Sequence, residues 1–161
     1  MFFASRDMNP KKRLIIGIIG GSTCPDEKTK KLAYEAGREI AKRGHLLVCG
    51  GMGGVMEEAC RGAKSAGGTT IGILPGKSRV DCNEYVDIPI VTAMSHARNA
   101  IIVRTADALI AIDGKYGTLS EIGLAKVIDK PVFGIDTWAI EGVIRVKTPE
   151  EALINIKRIF K

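Results

Sequence analysis

Aromatic residues make up only 5% of this 161-residue chain. That is too few to build the row of stacking platforms that binds single-stranded nucleic acid. Lys and Arg outnumber Asp and Glu to give a net charge of +6. The cations are scattered and form no dense basic block, so the balance favours a small anionic ligand over nucleic acid. With two histidines and four cysteines (Cys24, Cys49, Cys60 and Cys82), none in a C-x-x-C pair, no metal site is expected and the thiols should be free. No apolar run approaches the ~20 residues of a membrane helix. The opening Met1-Phe2-Phe3-Ala4-Ser5-Arg6 has no sustained apolar core of a secretion signal. The expectation is a cytoplasmic protein that does not contact membranes. Repeats, linkers and low-complexity stretches are also missing.

What is present is an alternation. Leu14 to Ile19 is a continuous apolar run rich in β-branched residues, which predicts a strand buried on both faces. A helix from about Pro25 to Arg43 follows, then a strand His45 to Cys49, a helix Val55 to Ser65 and a strand Thr69 to Leu74. Tyr85 to Val91, broken by Pro89, predicts a short exposed strand. Ser95 is placed as the N-cap of a helix to about Thr105, with Arg98 at its third position. A strand Ala108 to Ile112, a helix to about Ile128, a strand Pro131 to Ile135 and an extended piece Val143 to Val146 complete the series. The last helix opens on Thr148-Pro149-Glu150-Glu151, with Thr148 as cap, Pro149 at N1 and Glu151 at N3. Such alternation implies an α/β fold: one Rossmann-like, doubly wound domain over 13–161, its mostly parallel sheet covered by helices on both faces, behind a loose arm at 1–12.

Ligands of such sheets bind beyond the carboxyl ends of the strands. Four segments there are rich in glycine and small hydroxyls: Gly20-Gly21-Ser22-Thr23, Cys49-Gly50-Gly51-Met52-Gly53-Gly54, Met94 to Arg98, and Asp113 to Glu121. Glycine lets the backbone approach a phosphate closely. The candidate phosphate and ligand contacts are therefore Gly21, Ser22, Gly51, Gly53, Gly54, Asp113, Gly114, Lys115, Gly117 and Thr118. The second segment is not G-x-G-x-x-G, so a standard NAD fingerprint is absent. Arg98 is a candidate guanidinium for phosphate or carboxylate. Glu121 has two readings. Thr118-x-x-Glu121 ahead of Ile122 matches a capping box, yet Glu121 near Arg98 could also be chemical.

Taken together these motifs resemble the "lysine decarboxylase-like" superfamily of Lonely Guy-type nucleoside-monophosphate phosphoribohydrolases. They look most like its branch of small proteins related to the molybdenum-cofactor carrier protein. Gly114, Gly117, Thr118 and Glu121 match that family's P-G-G-x-G-T-x-x-E, with Asp113 in place of Pro and Lys115 in place of the second Gly. Lys115 adds a Cβ and a long cation at the turn, either a phosphate partner or an obstruction. Arg98 fits the Arg of M-x-x-R-K, one residue further from Met94 and with Asn99 in place of Lys. Cys49 to Met56 aligns with G-G-G-x-x-G-L-M.

The resemblance implies a small phosphorylated ligand: a bound nucleotide or the molybdenum cofactor, with no further cofactor required. It also implies a homodimer or homotetramer built on the helices beside the site. The alternative it carries is hydrolysis of a nucleoside 5′-monophosphate at the N-glycosidic bond, with Glu121 and Arg98 catalytic. A domain of this size offers no evident site for pyridoxal phosphate.

Overall fold

The computed structural model describes residues 13–161, so the arm expected at 1–12 lies outside the described residues. Among the described residues seven strands form one sheet: β1 (Ile15–Gly20), β2 (Leu46–Cys49), β3 (Thr70–Leu74), β4 (Ile88–Val91), β5 (Ala108–Ile112), β6 (Val132–Ile135) and β7 (Ile144–Arg145). Every pairing is parallel, in the order β4-β3-β2-β1-β5-β6-β7. A parallel ladder needs a crossover between successive strands, and the helices supply most of these. The helices are α1 (Glu27–Lys42), α2 (Val55–Ser65), α3 (Asn99–Thr105), α4 (Tyr116–Val127) and α5 (Pro149–Ile159), with a 3₁₀ turn at Ser95–Arg98.

The central strands are apolar on both faces because both faces are covered. Ile16, Ile18, Leu47, Ile110 and Phe133 point to the side packed by α1, α2 and α5. Ile19, Val48, Ile73, Leu109 and Val132 point to the side packed by α3 and α4. This is the expected Rossmann-like α/β fold. Strand order reverses between β1 and β5, which pair over Ile16–Gly20 and Ala108–Ile112. The crevice at such a reversal is where the fold exposes its strand-end loops to a ligand.

Differences from the expected elements are local. Helix α1 begins after Asp26, whose carboxylate accepts the Thr29 amide at 2.7 Å, rather than at Pro25. Strand β4 is shorter than Tyr85–Val91 and, as expected, lies exposed at the sheet edge. Ser95 does not cap a helix. It sits at φ 52° inside the 3₁₀ turn, and α3 starts only at Asn99 with Arg98 as its N-cap residue. No helix among the described residues is long and apolar enough to cross a membrane.

Candidate functional site

The loops after β1, β2 and β5 and the 3₁₀ turn meet at the carboxyl edge of the sheet. The Val55 amide donates to the Gly21 carbonyl at 3.0 Å, tying the first two loops together. Gly54 has φ 64°, and a side chain there would run into the Ser22–Thr23 backbone, so this crossing requires glycine. Ser22 is exposed, and Gly21 and Gly53 are half-buried at the rim. Gly51 is committed to the fold. Its amide donates to the Cys49 sulfur at 3.3 Å and its carbonyl accepts from the Asn83 amide at 2.9 Å.

Arg98 is buried against the second loop. Its Nε donates to the Ile73 carbonyl at 2.8 Å, Nη2 to the Gly50 carbonyl at 3.5 Å, and Nη1 to Asn99 Oδ1. The guanidinium therefore fastens the ends of β2 and β3 together. Asn99 carries the chain of bonds onward, donating to Ser120 Oγ at 3.1 Å, which in turn donates to the Gly117 carbonyl at 2.7 Å. The sequence did not single out Asn99 or Ser120 as site residues. The available signal was their adjacency to Arg98 and Glu121.

The turn after β5 is built differently. Asp113 and Gly114 both have positive φ, 49° and 99°, which swings the chain sharply into α4. The Thr118 side chain occupies the space a Cβ on Gly114 would need. Asp113 is fixed by its backbone: its amide donates to the Ile135 carbonyl at 3.2 Å, and its carbonyl accepts Thr137 Oγ1 at 2.6 Å. Lys115 is the N-cap residue of α4, exposed and with φ −114°. With φ negative, its Cβ needs no left-handed backbone. The amides of residues 114 to 118 donate to no acceptor among the described residues. Unpaired amides at the positive end of a helix dipole form an anion-binding surface.

Thr118 and Glu121 are not the capping box their spacing allows. Tyr116 is the first helical residue, so Thr118 lies within the first turn and its hydroxyl caps nothing. Thr118 Oγ1 is the one buried side-chain polar atom without a hydrogen-bond partner among the described residues. Glu121 is 6% exposed, and burial raises its carboxyl to a pKa of about 8, with the nearby Arg98 charge opposing the shift. Burial also lowers Arg98, and Glu121 opposes that change in turn. The two attract each other without a direct ion pair among the described residues. At neutral pH the pair is mostly a guanidinium beside a neutral carboxylic acid. Such an acid can donate a proton or a hydrogen bond to a bound molecule.

Cys49 forms the floor beneath this pair, its sulfur 3.5 Å from that of Cys60 on α2. All four cysteines are free thiols, and among the described residues no three His, Cys, Asp or Glu side chains are grouped as metal ligands.

The SLOG cluster4 family model matches residues 13–159. The chain belongs to the SLOG cluster4 family. Two solved structures show how far this SLOG cluster4 fold is shared. The molybdenum cofactor binding protein of Rippkaea orientalis superposes with a TM-score of 0.89 at 37% identity, covering 94% of this chain and 99% of that one. The molybdenum cofactor carrier protein of Chlamydomonas reinhardtii gives 0.83 at 36% identity, covering 92% and 98%. The cytokinin riboside 5′-monophosphate phosphoribohydrolase of Mycobacterium tuberculosis is 36% identical over 118 residues, 67% of this chain and 63% of that protein. The chain thus spans less than two thirds of that relative's length. The resemblance read from the motifs is the relationship found, with molybdenum-cofactor proteins on one side and phosphoribohydrolases on the other.

Proposed function

We propose that this protein binds a nucleotide or a nucleotide-like phosphorylated compound at the carboxyl edge of its sheet, with the phosphate on the first turn of α4. The observation that carries this reading is the Thr118 hydroxyl, buried and without a partner among the described residues, at the start of a helix whose leading amides are also unpaired there. A buried hydroxyl left unbonded costs about 1–3 kcal/mol, a cost removed when a ligand oxygen arrives. Lys115 supplies an exposed cation at the same turn, and the loops at Gly21–Ser22 and Gly53–Gly54 receive the remainder of the ligand. The molybdenum cofactor, a phosphorylated pterin, fits this donor set through its phosphate. Carriage of that cofactor is supported by the two structural neighbours.

The second reading is cleavage of a nucleoside 5′-monophosphate, favoured by the buried acid at Glu121 beside Arg98. A protonated Glu121 could donate to the departing base as the ribose takes on oxocarbenium character. A panel of nucleoside monophosphates, read by thermal shift and by base release, separates the two. Binding alone predicts an upward shift without free base. Base release that Glu121→Gln abolishes would establish the enzyme, and neither shift nor release across the panel would refute both.

The reading includes self-association. The outward face of α4 carries Tyr116, Ser120, Gly123, Leu124 and Val127, with Val127 82% exposed. A small-and-apolar stripe of this kind packs well against a copy of itself. Light scattering should give a dimer or tetramer, and a monomer at micromolar concentration would rule this out.

A further inference from the structure

Glu57 carries a carboxylate that the fold leaves spare. It stands at the third position of α2, where an acid ordinarily completes a capping box with the N-cap side chain. Here the N-cap is Gly54, which has no side chain, and no side-chain hydrogen bond caps the helix. The neighbouring Glu58 is engaged by Arg61 at 2.6 Å. Glu57 is half-buried, yet it has neither an ion pair nor a side-chain hydrogen bond among the described residues.

Its position ties it to the ligand loops. Glu57 Oε2 lies 3.8 Å from the point that a Cβ on Gly53 would occupy, and the Ser22 carbonyl oxygen lies 3.2 Å from the same point. The carboxylate is therefore at the seam where the loops after β1 and β2 meet, a seam closed by the Val55–Gly21 hydrogen bond. Strands β2 and β5 flank β1, so β2 ends two ladder spacings from the α4 turn, about 10 Å along the sheet edge. A nucleoside monophosphate with its phosphate on that turn covers this span. Its ribose crosses the end of β1, and its base reaches the first turn of α2.

We propose that Glu57 reads the base, and that the ligand carries the amino-oxo pyrimidine ring shared by guanine and pterins. That ring presents a ring N–H and an exocyclic amino group side by side. Two adjacent donors match the two oxygens of one carboxylate, as the fork of an arginine does. Adenine instead sets an acceptor nitrogen beside its amino group, so the carboxylate meets a lone pair and the base is disfavoured. Hypoxanthine keeps the ring N–H and lacks the amino group. The proposal rests on the α4 turn holding the phosphate, as argued above, and it needs only one phosphate.

The full chain is titrated with GMP, IMP, AMP and inorganic phosphate by calorimetry. GMP should bind about tenfold more tightly than IMP, the worth of one hydrogen bond to a charged group, and more tightly still than AMP. Glu57→Gln sets an amide donor against the donors of the ring. It should bring GMP down to the level of IMP and leave phosphate affinity unchanged. Glu58→Gln, the same loss of charge one residue away, should keep the preference. Equal binding of GMP, IMP and AMP by the wild type overturns base reading by Glu57, as does a preference that survives Glu57→Gln or is lost equally in Glu58→Gln. In each of those cases phosphate binding leaves the α4 turn standing. If neither the nucleotides nor phosphate bind, both are overturned.

Discussion

Two Thr-x-x-Glu segments begin two helices of this chain, and they do opposite things. At Thr148–Glu151 the pattern is a capping box. Thr148 is extended at φ −136°, its hydroxyl accepts the Glu151 amide at 3.2 Å, and Glu151 accepts the Lys147 amide at 2.8 Å. At Thr118–Glu121 the helix has already started at Tyr116. Among the described residues the hydroxyl is buried and unbonded, and the carboxyl is buried near a guanidinium with which it forms no ion pair. One segment satisfies its own backbone and is complete. The other keeps two polar groups that the fold does not use, and the ligand reading rests on that surplus. A pattern three residues long cannot distinguish them, because the difference lies in the left-handed Asp113–Gly114 turn, which advances the helix start past the cap position.

The comparison can be broken most forcefully at Arg98, which gives Glu121 its charged neighbour and also holds the Ile73 and Gly50 carbonyls. Arg98→Ala removes charged hydrogen bonds in a buried setting and should lower stability by about 4 kcal/mol in chemical denaturation. Arg98→Lys should recover only part of this, since an ammonium cannot reproduce the fork. A loss below about 1 kcal/mol would mean that Arg98 serves the ligand and not the sheet.

Next in size is the pair Glu121→Gln and Glu151→Gln. The Glu121 carboxyl has its pKa raised from an ordinary 4.5 to about 8 by folding. Between those values the unfolded chain releases the proton while the folded chain keeps it, so wild-type stability declines as pH rises through this window and levels off above it. Glutamine does not ionise. Glu121→Gln should therefore match the wild type below pH 4.5 and exceed it progressively, by about 3 kcal/mol at pH 7. Glu151→Gln keeps a residue that can complete a capping box and should stay within about 0.5 kcal/mol. Denaturation midpoints across that pH range check both. A flat difference for Glu121→Gln would show that its carboxyl is ionised in the folded state.

The fold was legible because it is written in local patterns. Helix α2 lies where the sequence places it, Val55–Ser65, and strand β5 spans Ala108–Ile112 as read. Their buried positions repeat at the period each element requires. The site was legible as a set of places and less so as a set of roles. Gly51, read as a ligand contact, has both backbone groups engaged within the fold. Arg98, read as a helix residue near a crevice, reaches a carbonyl 25 positions away. Such roles depend on contacts between elements distant in sequence, which periodicity and spacing do not encode.

The smallest effect bears most directly on the comparison: Thr118→Val set against Thr148→Val. Valine has nearly the shape of threonine and lacks the hydroxyl. At position 148 the exchange removes a working cap and should cost about 1 kcal/mol. At position 118 the hydroxyl lost is one that nothing in the fold engages, so stability without ligand should be unchanged or rise by up to about 1 kcal/mol. The penalty should appear only on binding, as an affinity for phosphorylated ligand about fivefold to tenfold weaker, because one hydrogen bond to an anionic oxygen is missing. Thermal shifts of both variants with and without phosphate supply all four values. If Thr118→Val destabilises the free protein as much as Thr148→Val does, its hydroxyl serves the fold. The α4 turn would then be a second helix cap and no longer the place where the ligand is held.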